Sequence, residues 1–274
     1  MPTPALIDLE ALLAPISEDA PCGADMREDA SPTSVYYQLK DARSSARAAE
    51  RSMDADEETA GLLADWRTIL DVAPKVLATR SKDLEAAAWF AEALLRAHGF
   101  AGLRDGFLLI EQLADRFWDG LYPLPDEDGV ETRVAPLTGL NGETSDGALI
   151  QPIRKAPLLP GGDRDFALWH YEQAADLGRV ADAAKRQARI DGGAVTMDVL
   201  EATAKALPPS HFRTLLDDID GCIAAFGALS DKLYEKAGHD SPPGAAIRGV
   251  LTAARDAVAD LGRDKLAIAD GADA

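Results

Sequence analysis

Apolar residues recur at helical spacing along most of the chain, and no alternating run long enough for a useful strand is present. The densest apolar stretch is 79–123, which holds two of the four Trp residues. Leu84, Ala87, Ala88, Ala91, Leu94 and Leu95 form one stripe, widened by Trp89 and Phe90. Ile110, Leu113, Ala114, Phe117, Trp118 and Leu121 form a second. The pattern predicts two amphipathic helices, the second over about 103–121, joined by a tight turn with Gly99 as the C-cap. Ser81 or Asp83 is placed to cap the first. Both helices hide wide faces and need a third layer, for which helices at 65–79 and 131–140 are the candidates.

The same periodicity organises the rest. A short helix is predicted at 5–13, then an irregular Pro- and acid-rich segment at 15–32. A helix is expected over 33–53, followed by a flexible loop at 54–61. The 65–79 helix carries Asp65 as its expected N-cap, Trp66 on its apolar stripe and a kink at Pro74. Helical pieces are expected at 147–155 and 165–175, with Pro and Gly residues between them marking a boundary. A loop at Asp191-Gly192-Gly193 precedes a helix from Thr196 through Leu207. The stripe Phe212 to Leu233 and the returning stripe Ile247 to Leu261 predict a long helical hairpin. The fold class is all-α. The expected division is an N-terminal helical domain at 1–160, a helical region with the hairpin at 161–264, and a disordered tail at 265–274.

Charge narrows the function classes. The net charge is -19, from 28 basic and 47 acidic residues. Such a field repels phosphate backbones and anionic membrane surfaces. Cys22 and Cys222 are too few for a disulfide framework or a zinc site, which fits a reduced cytoplasmic setting. No apolar run approaches the ~20 residues of a membrane span, so direct membrane insertion is not expected. Arg43, Arg47 and Arg51 lie at i, i+4 and i+8, one basic ridge in an acidic protein. It reads first as a solvated face paired with Asp41 and Glu50, and alternatively as a docking ridge.

Catalytic patterns are missing. None of the four histidines has a second His at i+3 or i+4, so no metal-binding helix face is formed. Nucleophile-elbow, phosphate-loop and dinucleotide glycine patterns are absent. The acidic clusters fall in hydrophilic loops, where nothing would raise a carboxyl pKa for acid catalysis. No enzyme activity, cofactor or metal is expected. Trp66, Trp89 and Trp118 each fit an apolar stripe and are assigned to the core. Trp169 and Tyr171, flanking His170 near the boundary, are interface candidates.

Five ordered blocks carry a family resemblance. They are Pro21-Cys22-Gly23-Ala24-Asp25-Met26-Arg27; Asp65-Trp66; Ser81-Lys82-Asp83-Leu84 with Trp89 and Glu92-Ala93-Leu94-Leu95; Gly99 to Leu121, including Trp118; and Pro152 to Leu158. Together they resemble the N-terminal region of the TssA family of bacterial type VI secretion systems, also called the ImpA N-terminal domain. The resemblance covers about 15–160, and the region 165–262 is similar to the middle region of many members. No third, ring-forming C-terminal domain is visible, which leaves homo-oligomerisation open.

The resemblance implies a non-enzymatic scaffold that contacts baseplate, membrane-complex and tail tube or sheath proteins during contractile-tail assembly. The alternative is an unrelated cytosolic helical adaptor. Within the first block, Gly23 is expected to supply a special backbone shape. Asp25 and Arg27 are expected to pair, or to pin the loop to the helical body.

Overall fold

The computed structural model describes residues 1–52, 63–142, 146–162 and 164–270, and the expected loop at 54–61 lies outside them. Among the described residues, twelve α-helices run in the order α1 (Leu9–Leu12), α2 (Val35–Ser52), α3 (Ala64–Thr79), α4 (Leu84–Phe117), α5 (Val130–Asn141) and α6 (Ile150–Lys155). They continue with α7 (Leu168–Gly178), α8 (Ala183–Asp191), α9 (Met197–Ala206), α10 (Pro209–Ala237), α11 (Ala245–Leu261) and α12 (Arg263–Asp270). Between α6 and α7, β1 (Pro157–Leu159) and β2 (Phe166–Ala167) pair antiparallel, a small addition to the expected all-α architecture.

The long element α4 is the centre. It bends back at Gly99, whose φ of 60° and ψ of -142° are closed to most side chains. The predicted pair of helices is therefore joined by a one-residue corner, and the second begins at the corner rather than near 103. The two halves meet closely, and a Cβ at Gly106 would lie 2.7 Å from that of Ala91. The second half ends at Phe117, and 118–120 tighten into a 3-10 turn. Trp118, assigned to the core from its stripe, is accordingly only half-buried.

Helices α3, α5 and α10 cover α4, and the α10 contact is the most extensive. Phe107 and Phe226 stack there with ring centroids 5.0 Å apart. The third layer therefore includes the hairpin helix as well as the two sequence neighbours. Helix α11 returns along α10 as predicted, burying Ile247, Leu251, Ala254 and Val258. One hydrophobic cluster runs from Leu12 to Val258, passing beneath the expected boundary at 156–164.

Local departures have local causes. Helix α1 is only one turn long, because Asp8 caps it by accepting from the Ala11 backbone N–H. Asp65 is not an N-cap: α3 starts at Ala64, so Asp65 sits in its first turn, where a carboxylate still favours the helix dipole. Pro74 lies inside α3, which is helical throughout 64–79. Asp83 does cap α4, accepting from the Glu85 and Ala86 N–H groups. Helix α8 was not expected, since it has no apolar stripe. Residues 263–270 are helical where a disordered tail was expected from 265, and 271–274 lie outside the described residues.

Candidate functional site

The motif blocks converge on a polar knot at the N-terminal end of α4. Residues 22–24 lie beside 80–82 through Ala24 N–H to Arg80 O (3.2 Å) and Lys82 N–H to Cys22 O (2.8 Å). On the other side, Tyr122 N–H reaches Lys82 O (3.0 Å) and Leu84 N–H reaches Tyr122 O (2.8 Å). The strip Ser81-Lys82-Asp83 is thus the middle of three extended segments, although none is long enough to be a strand. Gly23 makes this approach feasible: φ is 72°, and a Cβ there would lie 2.0 Å from Arg80 O.

Arg27 closes the knot. Its guanidinium donates to Asp25 (3.0 Å), Asp83 (2.6 Å) and Glu85 (2.7 Å), and it lies over the Tyr36 ring at 5.0 Å. Asp25 therefore both pairs with Arg27 and helps tie the loop to the helical body. Asp83 is wholly buried. Burial pushes its pKa up, against the Arg27 charge and the Ala86 N–H, which favour the carboxylate. Burial would lower Arg27, but Asp83 and Glu85 raise it, so its charge is secure.

Lys82 is also wholly buried. Its Nζ donates to the carbonyls of Leu12 (2.7 Å) and Leu77 (2.6 Å), joining the N-terminal segment to the end of α3. Removal from water brings its pKa down to about 8. A lysine with a lowered pKa can be a nucleophile, but this one is enclosed and committed to two carbonyls.

Beside the knot lies an open concavity of about 510 Å³, lined by Pro21, Cys22, Trp118, Tyr122, Leu124 and Lys236 among others. Buried Arg133 supports its wall, donating to Trp118 O (2.6 Å) and lying 5.1 Å from the Trp118 ring centroid. Burial raises the Cys22 pKa, and its thiol faces Phe117 O at 3.8 Å.

A second polar cluster joins α2, α3 and α4. Arg43 donates to the fully buried Glu92 (2.6 Å) and lies over Trp89 at 5.9 Å. Arg96 grips Glu50 through Nε (2.5 Å) and Nη2 (2.9 Å) and lies over Trp66 at 4.0 Å. The Trp66 indole N–H donates to the same Glu50 (2.7 Å). The ridge expected to be solvated is thus divided. Arg43 and Arg47 are half-buried against α4, and only Arg51 is exposed. Burial lowers the Arg47 pKa; Glu92 opposes that, while Arg43, Arg51 and Arg96 add to it.

Trp169 and Tyr171 are half-buried on α7. The Trp169 ring lies 3.7 Å from that of His170, and Tyr171 donates to Asp260 on α11 (2.8 Å). The structure therefore brings Pro21, Gly23, Asp25, Arg27, Lys82, Asp83, Leu84 and Trp118 to one end of α4. Asp65, Trp66 and Trp89 lie along its side, and the Trp169–Tyr171 pair lies apart.

Two buried acids, Asp105 and Asp218, escaped sequence reasoning, and a third, Glu92, was marked only as part of a motif block. Asp105 accepts from Leu6 N–H (2.6 Å) and Arg104 (2.8 Å), and Asp218 accepts from Thr3 N–H (2.8 Å), so together they moor the N-terminus. Their only signal was a charge interrupting an apolar stripe. Among the described residues, no group of His, Cys, Asp or Glu could hold a metal ion, and no helix is long and apolar enough to cross a membrane.

The class that the fold and site define is a mostly helical body with loops tied onto a bent central helix. The family model for the ImpA N-terminal region of type VI secretion matches residues 13–142. The chain is 32% identical over 210 residues to the type VI secretion system component TssA1 of Pseudomonas aeruginosa, covering 74% of this chain and 57% of that protein. It thus spans rather more than half of that relative's length. The solved N-terminal domain of the TssA component from Burkholderia cenocepacia, which includes the conserved ImpA region, superposes with a TM-score of 0.79 at 26% identity. That match covers 97% of this chain and 98% of that one. The chain belongs to the TssA family of type VI secretion components.

Proposed function

We propose that this chain is a non-enzymatic assembly scaffold of a type VI secretion system, acting in the cytoplasm through protein contacts during contractile-tail biogenesis. The supporting observation is the likeness to a TssA N-terminal domain over nearly the whole chain. The geometry agrees with it. The most reactive-looking groups, Lys82, Asp83 and Arg27, are spent on internal hydrogen bonds that hold the fold. The partners in this reading are baseplate, membrane-complex and tail tube or sheath subunits. The concavity beside Trp118 and the Trp169–Tyr171 surface are the contact candidates.

The test is a chromosomal deletion with complementation, read as release of the tail-tube protein and as visible sheath assembly. Loss of both, restored by the intact gene, is expected. Unchanged release and assembly would sink the proposal. Trp169→Ala and Leu124→Ala variants, checked for normal melting, should weaken co-purification of apparatus subunits if those surfaces are used.

A further inference from the structure

Helix α8 stands apart from the economy of the rest of the molecule. It has nine residues, none of them buried, and only Ile190 is even half-covered. Short helices are marginal in water and ordinarily draw their stability from a packed face. This one is held by its Asp182 cap, which accepts from the Ala184 (2.9 Å) and Lys185 (3.1 Å) N–H groups, and by an alanine-rich sequence. Its contact with the body is a slight one with α7.

Its charge is as unusual as its exposure. Lys185, Arg186 and Arg189 fall within about 100° of arc at 3.6 residues per turn, forming one basic face. Among the described residues, none of the three side chains makes an ion pair or hydrogen bond, in contrast to Arg27, Arg43, Arg96 and Arg104 elsewhere. The helix's one acid, Asp191, is engaged by Gln187 (2.8 Å). A projecting cationic face in a chain of net charge -19 is complementary to something acidic.

We propose that α8 is a docking helix for an acidic protein surface, resting on the scaffold reading above. Duplex nucleic acid and anionic bilayers offer the same sign of charge. Either would also have to approach the strongly acidic remainder of the chain, whereas a folded protein can present a local acidic patch to α8 alone. The contact should be rapid to form and sensitive to salt.

The experiment compares the full chain with its K185E/R186E/R189E variant. Because α8 buries nothing, the variant should keep the wild-type melting temperature. Polyglutamate, as a labelled oligomer short enough to rest on α8 alone, is titrated by fluorescence anisotropy, with duplex DNA and phosphatidylglycerol vesicles as parallel ligands. Polyglutamate should bind the wild type, weaken as salt rises from about 50 to about 200 mM, and bind the variant at least about tenfold more weakly. Absent binding, or equal binding by both proteins, overturns the proposal. Tighter binding of DNA or vesicles than of polyglutamate overturns it too, by making α8 a general polyanion site. In cells, tail-tube release should fall in the variant at unchanged protein level. If release never depended on this chain, the scaffold reading fails, while the polyglutamate result still decides the chemistry of α8.

Discussion

The segment 21–27 and the helix 183–191 are both short, both charged and both low in large apolar side chains, yet the fold treats them oppositely. Arg27 is drawn into a three-carboxylate clasp around a wholly buried Asp83, whereas Lys185, Arg186 and Arg189 stay in water. The difference lies in what surrounds the charge. Gly23 lets a loop lie against 80–82, and that contact brings Arg27 to Asp83. No such contact anchors α8. A charge is fixed in one place or left free according to whether the backbone around it can bring up a partner and close off solvent.

The comparison is broken most severely at Asp83. Asp83→Ala removes the α4 cap and leaves Arg27 with Asp25 and Glu85 alone beside a desolvated hole, a loss of ~3–5 kcal/mol expected in urea unfolding. Replacing Arg27 and Asp83 together by Met and Leu should recover much of it, because a buried pair is costly mainly when half is missing. If the double variant is as unstable as D83A, the knot is held by the cap rather than by the pair.

Next come Leu113 and Trp118, neighbours on one predicted stripe. Leu113→Ala should lose ~2–5 kcal/mol as a core truncation. Trp118→Ala should lose clearly less, because its ring is half-buried over Arg133. Equal losses would place Trp118 in the core after all.

Lys82→Met should destabilise by ~1–3 kcal/mol in total, as the carbonyls of Leu12 and Leu77 lose their donor. It also carries a pH signature. The folded pKa of about 8 lies below the unfolded value near 10.5, so the unfolded state binds more protons between those limits. Stability contributed by Lys82 therefore rises as pH increases from about 8 to about 10.5. Titrating thiols and tyrosines shift the overall profile, so the informative quantity is the difference between wild type and K82M, which should widen in the wild type's favour. A flat difference would mean that Lys82 keeps an ordinary pKa.

The smallest effect belongs to the other region. Arg186→Ala should change stability by no more than ~0.5 kcal/mol, measured by thermal unfolding. A larger loss would show that α8 supports the fold and is not a free face.

Much of this architecture is legible in the sequence because it rests on local rules. The stripes on either side of Gly99, the Asp83 cap and the α10–α11 hairpin follow from 3.6-residue periodicity and capping chemistry. The five motif blocks likewise mark the family before any coordinates. Helix α8 was illegible for the converse reason: without a buried face it leaves no apolar period to read.

What the tertiary structure alone decided is where each polar group goes. Asp25 and Arg27 are near neighbours in sequence, but Asp83 lies 56 residues from Arg27, and only the Gly23–Ser81 approach joins them. Arg43 and Arg47 share a ridge with Arg51, yet packing of α2 beside α4 turns the first two toward buried Glu92. Trp118 has the spacing of a core residue, and a 3-10 turn rotates it to the rim of a concavity. Periodicity states which face of a helix avoids water. It does not state which distant backbone will arrive to enclose a charge, since that depends on the sum of contacts made when the chain closes.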